Sequence, residues 1–235
     1  MQKLLSTYYQ CCYRGHWNEL CRVLNYSLQT PPPAEKDILY MCVRGAHQYC
    51  IKSVAIKDAV DALYNAKVLH TKYIDFEALY DDIRSLLISI SGIGNLTIYD
   101  TALRIGFIMN PIVLPRQYVY LACGAMRGAE NLLNAKGALN YREPAYLFSP
   151  CFGNLSSHFV EDFLCVMEDF LCNGKTQGAI PPAGCLCSCA KNLQQSQTNC
   201  VVPQDSCCCM RICNEKGELK DKYLDDGNTC SCKNN

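Results

Sequence analysis

The sequence predicts an all-α domain over residues 1–172, followed by an irregular, cysteine-rich tail over residues 173–235. Three observations support this prediction. Apolar residues recur three and four positions apart along most of the first part, which is the spacing of amphipathic helices. A Gly-Ile-Gly turn at residues 92–94 separates two such stretches. After residue 172 aliphatic residues become scarce, and Gly, Pro, Ser, Asn, Gln and Cys dominate.

The first third of the chain predicts four helices. Residues 1–29 form two of them, separated at Gly15, because glycine weakens a helix interior. The prolines at 31–33 end the second helix. Apolar spacing then predicts helices over about 34–49 and 53–69.

A helix–turn–helix arrangement is predicted next, with Asp75 opening the incoming helix. Gly92 and Gly94 permit positive φ and a close backbone approach, and Ile93 between them inserts into the crease. Asn95 or Thr97 caps the outgoing helix, which continues to about residue 109. The free N–H groups at the positive end of that helix suit a phosphate.

The remaining elements follow a break at residues 110–115. Residues 117–123 permit either a strand or a helix, and a helix over about 118–134 is favoured. Prolines at 144 and 150 bracket a loop. The last helix is predicted over 156–172, with Ser156 or Ser157 as its cap.

The residues Ile90-Ser-Gly-Ile-Gly94 and their apolar frame resemble the helix-hairpin-helix DNA-binding motif. The resemblance implies contact with nucleic-acid phosphates through turn amides, without sequence preference, and often a monovalent cation at the hairpin. Arg104 and Arg116 are the nearby cations that would extend this contact, or else they belong to solvated faces and acidic partners. The predicted nucleic-acid-binding residues are Gly92, Ile93, Gly94, Asn95, Thr97, Arg104 and Arg116.

Three stretches resemble an uncharacterised group of bacterial helix-hairpin-helix proteins over roughly residues 80–172. They are Leu96–Gly106, Val119–Ala129 and Val160–Cys165. The group usually continues its Val-Tyr-Leu stretch with His-Ala-Gly, whereas this chain has Ala122-Cys123-Gly124. The resemblance implies a fold and no established activity.

The helix-hairpin-helix DNA glycosylases are the enzymes against which this resemblance is tested. Their catalytic lysine position corresponds to Leu96, and the window where a catalytic aspartate belongs holds Val119-Tyr-Leu121. The sequence also shows no recognisable Ser-His-Asp or Cys-His pair, P-loop or dinucleotide-binding turn. We therefore expect a protein that is not an enzyme, although an unfamiliar site is left open.

The charge balance limits any nucleic-acid contact to a local one. Lys and Arg number 22, and Asp and Glu also number 22, so the formal net charge is zero. The main hypothesis is a non-enzymatic nucleic-acid-binding protein that contacts phosphates weakly through the hairpin. The alternative is a structural or interaction protein whose tail mediates self-association through metal or disulfides.

The 19 cysteines are concentrated in the tail. Thiolates suit zinc, but the spacing lacks paired Cys-x₂-Cys ligands, so zinc, disulfides and an unstructured tail stay open. Without an apolar signal segment or a membrane span, a cytoplasmic, reducing location is expected. The candidate metal ligands are Cys185, Cys187, Cys189, Cys200, Cys207, Cys208, Cys209, Cys213, Cys230 and Cys232.

Overall fold

A computed structural model describes residues 4–5, 8–9, 12–45, 51–153, 155–172 and 175–176. Over these residues the chain is mostly helical, as the sequence predicts. The described helices are α1 (Tyr13–Ser27), α2 (Glu35–Val43), α3 (Ser53–Asn65), α4 (Phe76–Leu87), α5 (Asn95–Ile108), α6 (Gly124–Leu133), α7 (Ser149–Phe152) and α8 (Ser157–Val166). Short 3₁₀ turns occupy Val68–His70, Ala145–Leu147 and Glu168–Phe170.

Four short strands accompany the helices and form two antiparallel ribbons. Strand β1 (Tyr118–Tyr120) pairs with β2 (Arg142–Pro144). Strand β3 (Leu171–Cys172) pairs with β4 (Lys175–Thr176). The second ribbon spans the predicted domain boundary at residue 172, and most of the predicted tail lies outside the described residues, so that boundary stays a prediction.

The described residues divide into two compact units. The terminal unit contains the residues up to Asn18 and those from Arg116 onward, and the central unit is Glu19–Pro115. The division falls within α1. No helix in the described part of the chain is both long and apolar enough to cross a membrane.

The central unit is built around α5, which is buried on every side from Thr97 to Phe107. Helix α5 packs against α4 and α2, and α3 packs against α2 and α4. Asp75 caps α4 as predicted, because its Oδ1 accepts a 2.8 Å hydrogen bond from the Ala78 amide. A helix enclosed on all sides needs apolar residues on all sides, and Tyr99, Leu103 and Phe107 supply them opposite Ile98 and Ile105.

The terminal unit has an aromatic core. Tyr13 stacks on Phe159 with ring centroids 4.1 Å apart, and Phe163 meets both Tyr8 and Phe152 edge to face. Helices α6 and α8 pack together in this unit. Their contact requires Gly128, since a Cβ there would lie 2.0 Å from the carbonyl oxygen of Leu164.

The predicted break at Gly15 is wrong, because α1 runs through this glycine. Tyr13, Trp17 and Leu20 are all buried. Anchoring these large side chains outweighs the cost of about 1 kcal/mol for a glycine within a helix.

The single helix predicted over 118–134 is also wrong. Residues Tyr118–Tyr120 form β1, and α6 begins only at Gly124. Cys123 has φ +46°, which a continuous helix excludes. Val119 and Tyr120 favour a strand, and the backbone of Arg142–Pro144 supplies a partner for it.

The last predicted helix is shorter than expected and ends at Val166. The chain then continues as the 3₁₀ turn Glu168–Phe170 and as β3, whose backbone pairs with β4. Similarly, α3 ends at Asn65 rather than near 69, where Lys67 adopts φ +54°.

Candidate functional site

The predicted hairpin is the turn between α4 and α5. Ile93 is buried, whereas the flanking Gly92 and Gly94 are exposed. Gly92 has φ +92°, a conformation that favours glycine. Gly94 has φ −102° and a free space where a Cβ would lie, so the prediction of positive φ is wrong for Gly94.

The predicted caps of α5 are wrong as well. Gly94 occupies the N-cap position and has no side chain with which to cap the helix. Asn95 is the first helical residue and is exposed. Thr97 is the third residue of the helix and is buried, so its side chain is not presented to a ligand in solution.

Arg104 is not a surface cation. Its side chain is only 4 % exposed, and Nη2 lies 2.6 Å from Oε1 of Glu19 and 3.7 Å from Oδ2 of Asp100. Nη1 donates a 2.9 Å hydrogen bond to the carbonyl oxygen of Cys42. The guanidinium therefore stabilises the interior of the central unit, which contradicts the prediction that it contacts phosphates.

Arg116 is exposed but belongs to the terminal unit. Its carbonyl oxygen accepts a 3.3 Å hydrogen bond from the Ser157 hydroxyl at the start of α8. Within the central unit, Gly92, Ile93, Gly94 and Asn95 of the predicted set form the turn and the start of α5, and a phosphate contact by Arg116 stays a prediction.

The predicted metal ligands are cysteines of the tail and lie apart from the turn in the sequence. All ten candidate cysteines of the tail lie outside the described residues, so the zinc and assembly hypotheses stay predictions. Within the described ranges, no group of three or more His, Cys, Asp or Glu side chains is placed to hold a metal ion. Cys42, Cys123 and Cys151 in these ranges are free thiols.

A monovalent cation at the hairpin would need backbone carbonyl oxygens of the turn. The carbonyl oxygens of Ile90 and Gly94 already accept hydrogen bonds from the amides of Ile93 and Ile98, both at 3.0 Å. Each carbonyl retains a second lone pair. The cation stays a prediction, and we derive no step from it.

A second group of polar side chains, which we call the histidine relay, lies in the terminal unit. It consists of Ser156, His158, His16, Asp162 and Tyr8. The Ser156 Oγ lies 3.2 Å from His158 Nε2, and His158 Nδ1 lies 3.1 Å from His16 Nε2. The other nitrogen of His16, Nδ1, lies 3.4 Å from Asp162 Oδ1, and the Tyr8 hydroxyl donates a 2.6 Å hydrogen bond to Asp162 Oδ2.

The two imidazole rings of the relay meet edge to edge. Their planes differ by 24° and their centroids are 5.3 Å apart, with the facing nitrogens 3.1 Å apart. This arrangement directs the hydrogen bond along the plane of both rings. The ring of Phe159 packs against both imidazoles, with its centroid 4.1 Å from that of His158 and 5.3 Å from that of His16. This packing shields the two imidazole rings of the relay from water.

Burial controls the protonation of the relay. Desolvation by burial is the main cause that lowers the pKa of His158 well below its ordinary value of 6.5, and the charge of the neighbouring His16 lowers it further. Desolvation by burial is also the main cause that raises the pKa of Tyr8 well above 10.0, and the negative charge of Asp162 raises it further. His158 is therefore neutral and Tyr8 is a hydrogen-bond donor at neutral pH.

The sequence interpretation missed the relay because His16 and His158 are 142 positions apart. The local signal was the Ser-x-His spacing at a predicted helix start. Ser156 does occupy the N-cap position of α8, as predicted, but its side chain makes no capping hydrogen bond and contacts the ring of His158 instead.

No protein-family model, curated protein or solved structure matches this chain. The resemblance to helix-hairpin-helix proteins therefore stays a prediction from the residues around Gly92–Gly94.

Proposed function

We propose that the chain binds nucleic-acid phosphates weakly and without sequence preference, through the turn Gly92–Asn95. The observation that supports this best is the shape of the turn. Buried Ile93 anchors it to the central unit, while Gly92, Gly94 and Asn95 on either side are exposed. A phosphate can therefore approach the backbone at the start of α5.

The start of α5 is suited to an anion. The first amides of a helix have no acceptor within the helix, and the helix dipole places partial positive charge there. At α4 the Asp75 carboxylate occupies this position, whereas Gly94 brings no side chain to the start of α5. A phosphate oxygen at α5 would take the place that the Asp75 carboxylate holds at α4.

The expected affinity is low. Zero formal net charge supplies no long-range attraction, and Arg104 is held inside the central unit. We expect a dissociation constant at the weak end of the roughly 1–100 μM range of non-specific binding at physiological salt. Contacts to phosphates fix position and carry no sequence information, so duplexes of different sequence should bind alike.

The test replaces Gly94 by glutamate and, as a matched control, by glutamine. Both side chains have room, because a Cβ at residue 94 meets nothing within 4 Å and φ is ordinary there. The negative charge of a glutamate at a helix start also interacts favourably with the helix dipole, so we expect the variant to fold. Fluorescence anisotropy at low salt, with labelled duplex and single-stranded oligonucleotides, measures the binding.

We expect Gly94→Glu to bind about fivefold more weakly than Gly94→Gln. This factor corresponds to the repulsion of about 1 kcal/mol between unit charges about 4 Å apart in water. Equal binding by the two variants would overturn the proposal, since the turn would then be remote from the phosphate. Absence of wild-type binding to both oligonucleotides at low salt would overturn it as well.

A further inference from the structure

Ser156 is an exposed residue, and its hydroxyl lies at one end of the histidine relay. We propose that the terminal unit hydrolyses small carboxylic esters, with Ser156 as the nucleophile and His158 as its general base. His16 and Asp162 are positioning residues that act through His158. This proposal is independent of the hairpin, which belongs to the central unit.

The hydrogen bonds of the relay admit one favourable proton order. An ionised Asp162 carboxylate only accepts hydrogen bonds. His16 therefore donates its Nδ1–H to Asp162 and keeps a lone pair on Nε2. That lone pair accepts from Nδ1–H of His158. The lone pair on His158 Nε2 is thereby directed at Ser156 Oγ, as a general base requires.

The second histidine of the relay, His16, can accept a proton that the buried His158 cannot easily keep. His158 is buried and holds a positive charge poorly, as its lowered pKa shows. When Nε2 of His158 takes the serine proton, Nδ1 can pass its own proton to His16 Nε2. The charge then resides on His16, 3.4 Å from the Asp162 carboxylate, where it is stabilised.

The start of α8 supplies donors for the oxygen that becomes negative. The amides of Ser157 and His158 are the first two of the helix, so they have no acceptor within it. The amide that follows a nucleophile at a helix start is a donor used in oxyanion stabilisation. Such a donor strengthens as charge develops on the carbonyl oxygen in the transition state.

The reaction follows from these roles. Ser156 Oγ forms a bond to the ester carbonyl carbon while its proton moves to His158 Nε2. The bond from that carbon to the alcohol oxygen then breaks, and the leaving alcohol takes the proton from His158. Water attacks the acyl-serine, gives a proton to His158, and releases the carboxylic acid as Ser156 Oγ regains the proton.

The test uses the full chain with a fluorophosphonate probe and with 4-nitrophenyl acetate. Wild-type protein should form a phosphonate adduct that peptide mass spectrometry places on Ser156, and Ser156→Ala should lose the adduct and the esterase activity. Ser149→Ala is the matched control, because Ser149 is an exposed serine at the start of α7 in the same unit. We expect this control to react like wild type.

Asp162→Asn tests the relay rather than the serine alone. It retains the size of the side chain but removes the charge that orients His16. We expect kcat for 4-nitrophenyl acetate to fall about 10²–10⁴-fold, with KM little changed and near-ultraviolet circular dichroism preserved. A purely structural carboxylate would leave the reactivity of a folded variant intact.

Two results would overturn the proposal. One is a wild-type reaction rate no higher than that of Ser156→Ala, and the other is an adduct that maps to a residue other than Ser156. Because Ser156 is exposed, its alanine variant is expected to fold, so the comparison holds even if Asp162→Asn proves unstable.

Discussion

Each unit of this protein contains a cluster of polar side chains drawn from distant parts of the chain, and the two clusters end differently. In the central unit, Arg104 joins Glu19, Asp100 and the Cys42 carbonyl, and its side chain is almost fully enclosed. In the terminal unit, the histidine relay begins at the Tyr8–Asp162 hydrogen bond and ends at the hydroxyl of Ser156, which is an exposed residue.

The difference separates two uses of buried polar groups. The guanidinium of Arg104 cannot lose its proton in a protein, and its partners fix its position, so the cluster contributes to structure alone. The relay contains two imidazoles, which can accept and release protons, and one end of it is open to solvent. The proposed ester hydrolysis depends on this second arrangement.

The largest effect that this comparison predicts is on the stability of the central unit. Arg104→Met should lower the free energy of unfolding by about 3–5 kcal/mol, because it leaves the Glu19 and Asp100 carboxylates without their cation in a buried setting. Urea unfolding followed by circular dichroism measures the loss. Lys57→Met, which removes an exposed partner of Asp61, serves as the control and should change little.

A second variant sharpens this prediction. Replacing both Arg104 by Met and Glu19 by Leu should recover part of the loss, because it also removes a carboxylate that the single variant deprives of its contact with Arg104. If Arg104→Met lowers the free energy of unfolding by less than about 1 kcal/mol, Arg104 behaves like a surface ion pair and the contrast between the two clusters is contradicted.

The next effect concerns pH and belongs to the terminal unit. The pKa of His158 is lower in the folded protein than its ordinary value of 6.5, because burial disfavours the charged ring. The unfolded chain therefore binds the extra proton first as the pH falls. The stabilising contribution of neutral His158 is complete above pH 6.5 and is lost below it, by at most about 1.4 kcal/mol per pH unit.

Chemical unfolding between pH 5 and pH 8 checks this expectation. His158→Gln should remove part of the pH dependence, and the difference from wild type isolates this residue from His16, Asp162 and Tyr8 around it. His70→Gln is the control, since His70 is exposed and contacts Glu35 in the central unit. An identical pH dependence in wild type and His158→Gln would contradict the assigned pKa direction.

The smallest effect is expected at the open end of the relay. Ser156→Ala should change the free energy of unfolding by at most about 1 kcal/mol, because the hydroxyl makes one hydrogen bond to His158 and no capping bond to α8. Thermal unfolding followed by circular dichroism is the measurement. A loss of more than about 2 kcal/mol would assign Ser156 to the structural framework, like Arg104.

Much of the helical framework could be predicted from local patterns. The N-cap at Asp75, the turn at Gly92–Gly94 and the break after α5 each depend on residues within a few positions of one another. For Tyr118–Tyr120 the sequence left a strand and a helix open, and the helix was favoured wrongly because the strand depends on Arg142–Pro144, a partner that local periodicity does not reveal.

The candidate sites were harder to predict for the same reason. The burial of Arg104 follows from the apolar residues on all faces of α5, a signal that was present in the sequence but was interpreted as a single face. The relay requires Tyr8 and His16 beside residues 156–162, and no sequence pattern indicates that contact. Tertiary packing alone brings these side chains together.

The close contact at Gly128 has a consequence for the relay. Because the Leu164 carbonyl oxygen lies where a β-methyl group at residue 128 would be, α6 and α8 are held at main-chain distance rather than through interlocking side chains. Helix α8 begins at Ser157 and carries His158 and Asp162. Any side chain larger than hydrogen at residue 128 would therefore displace the helix that bears both groups.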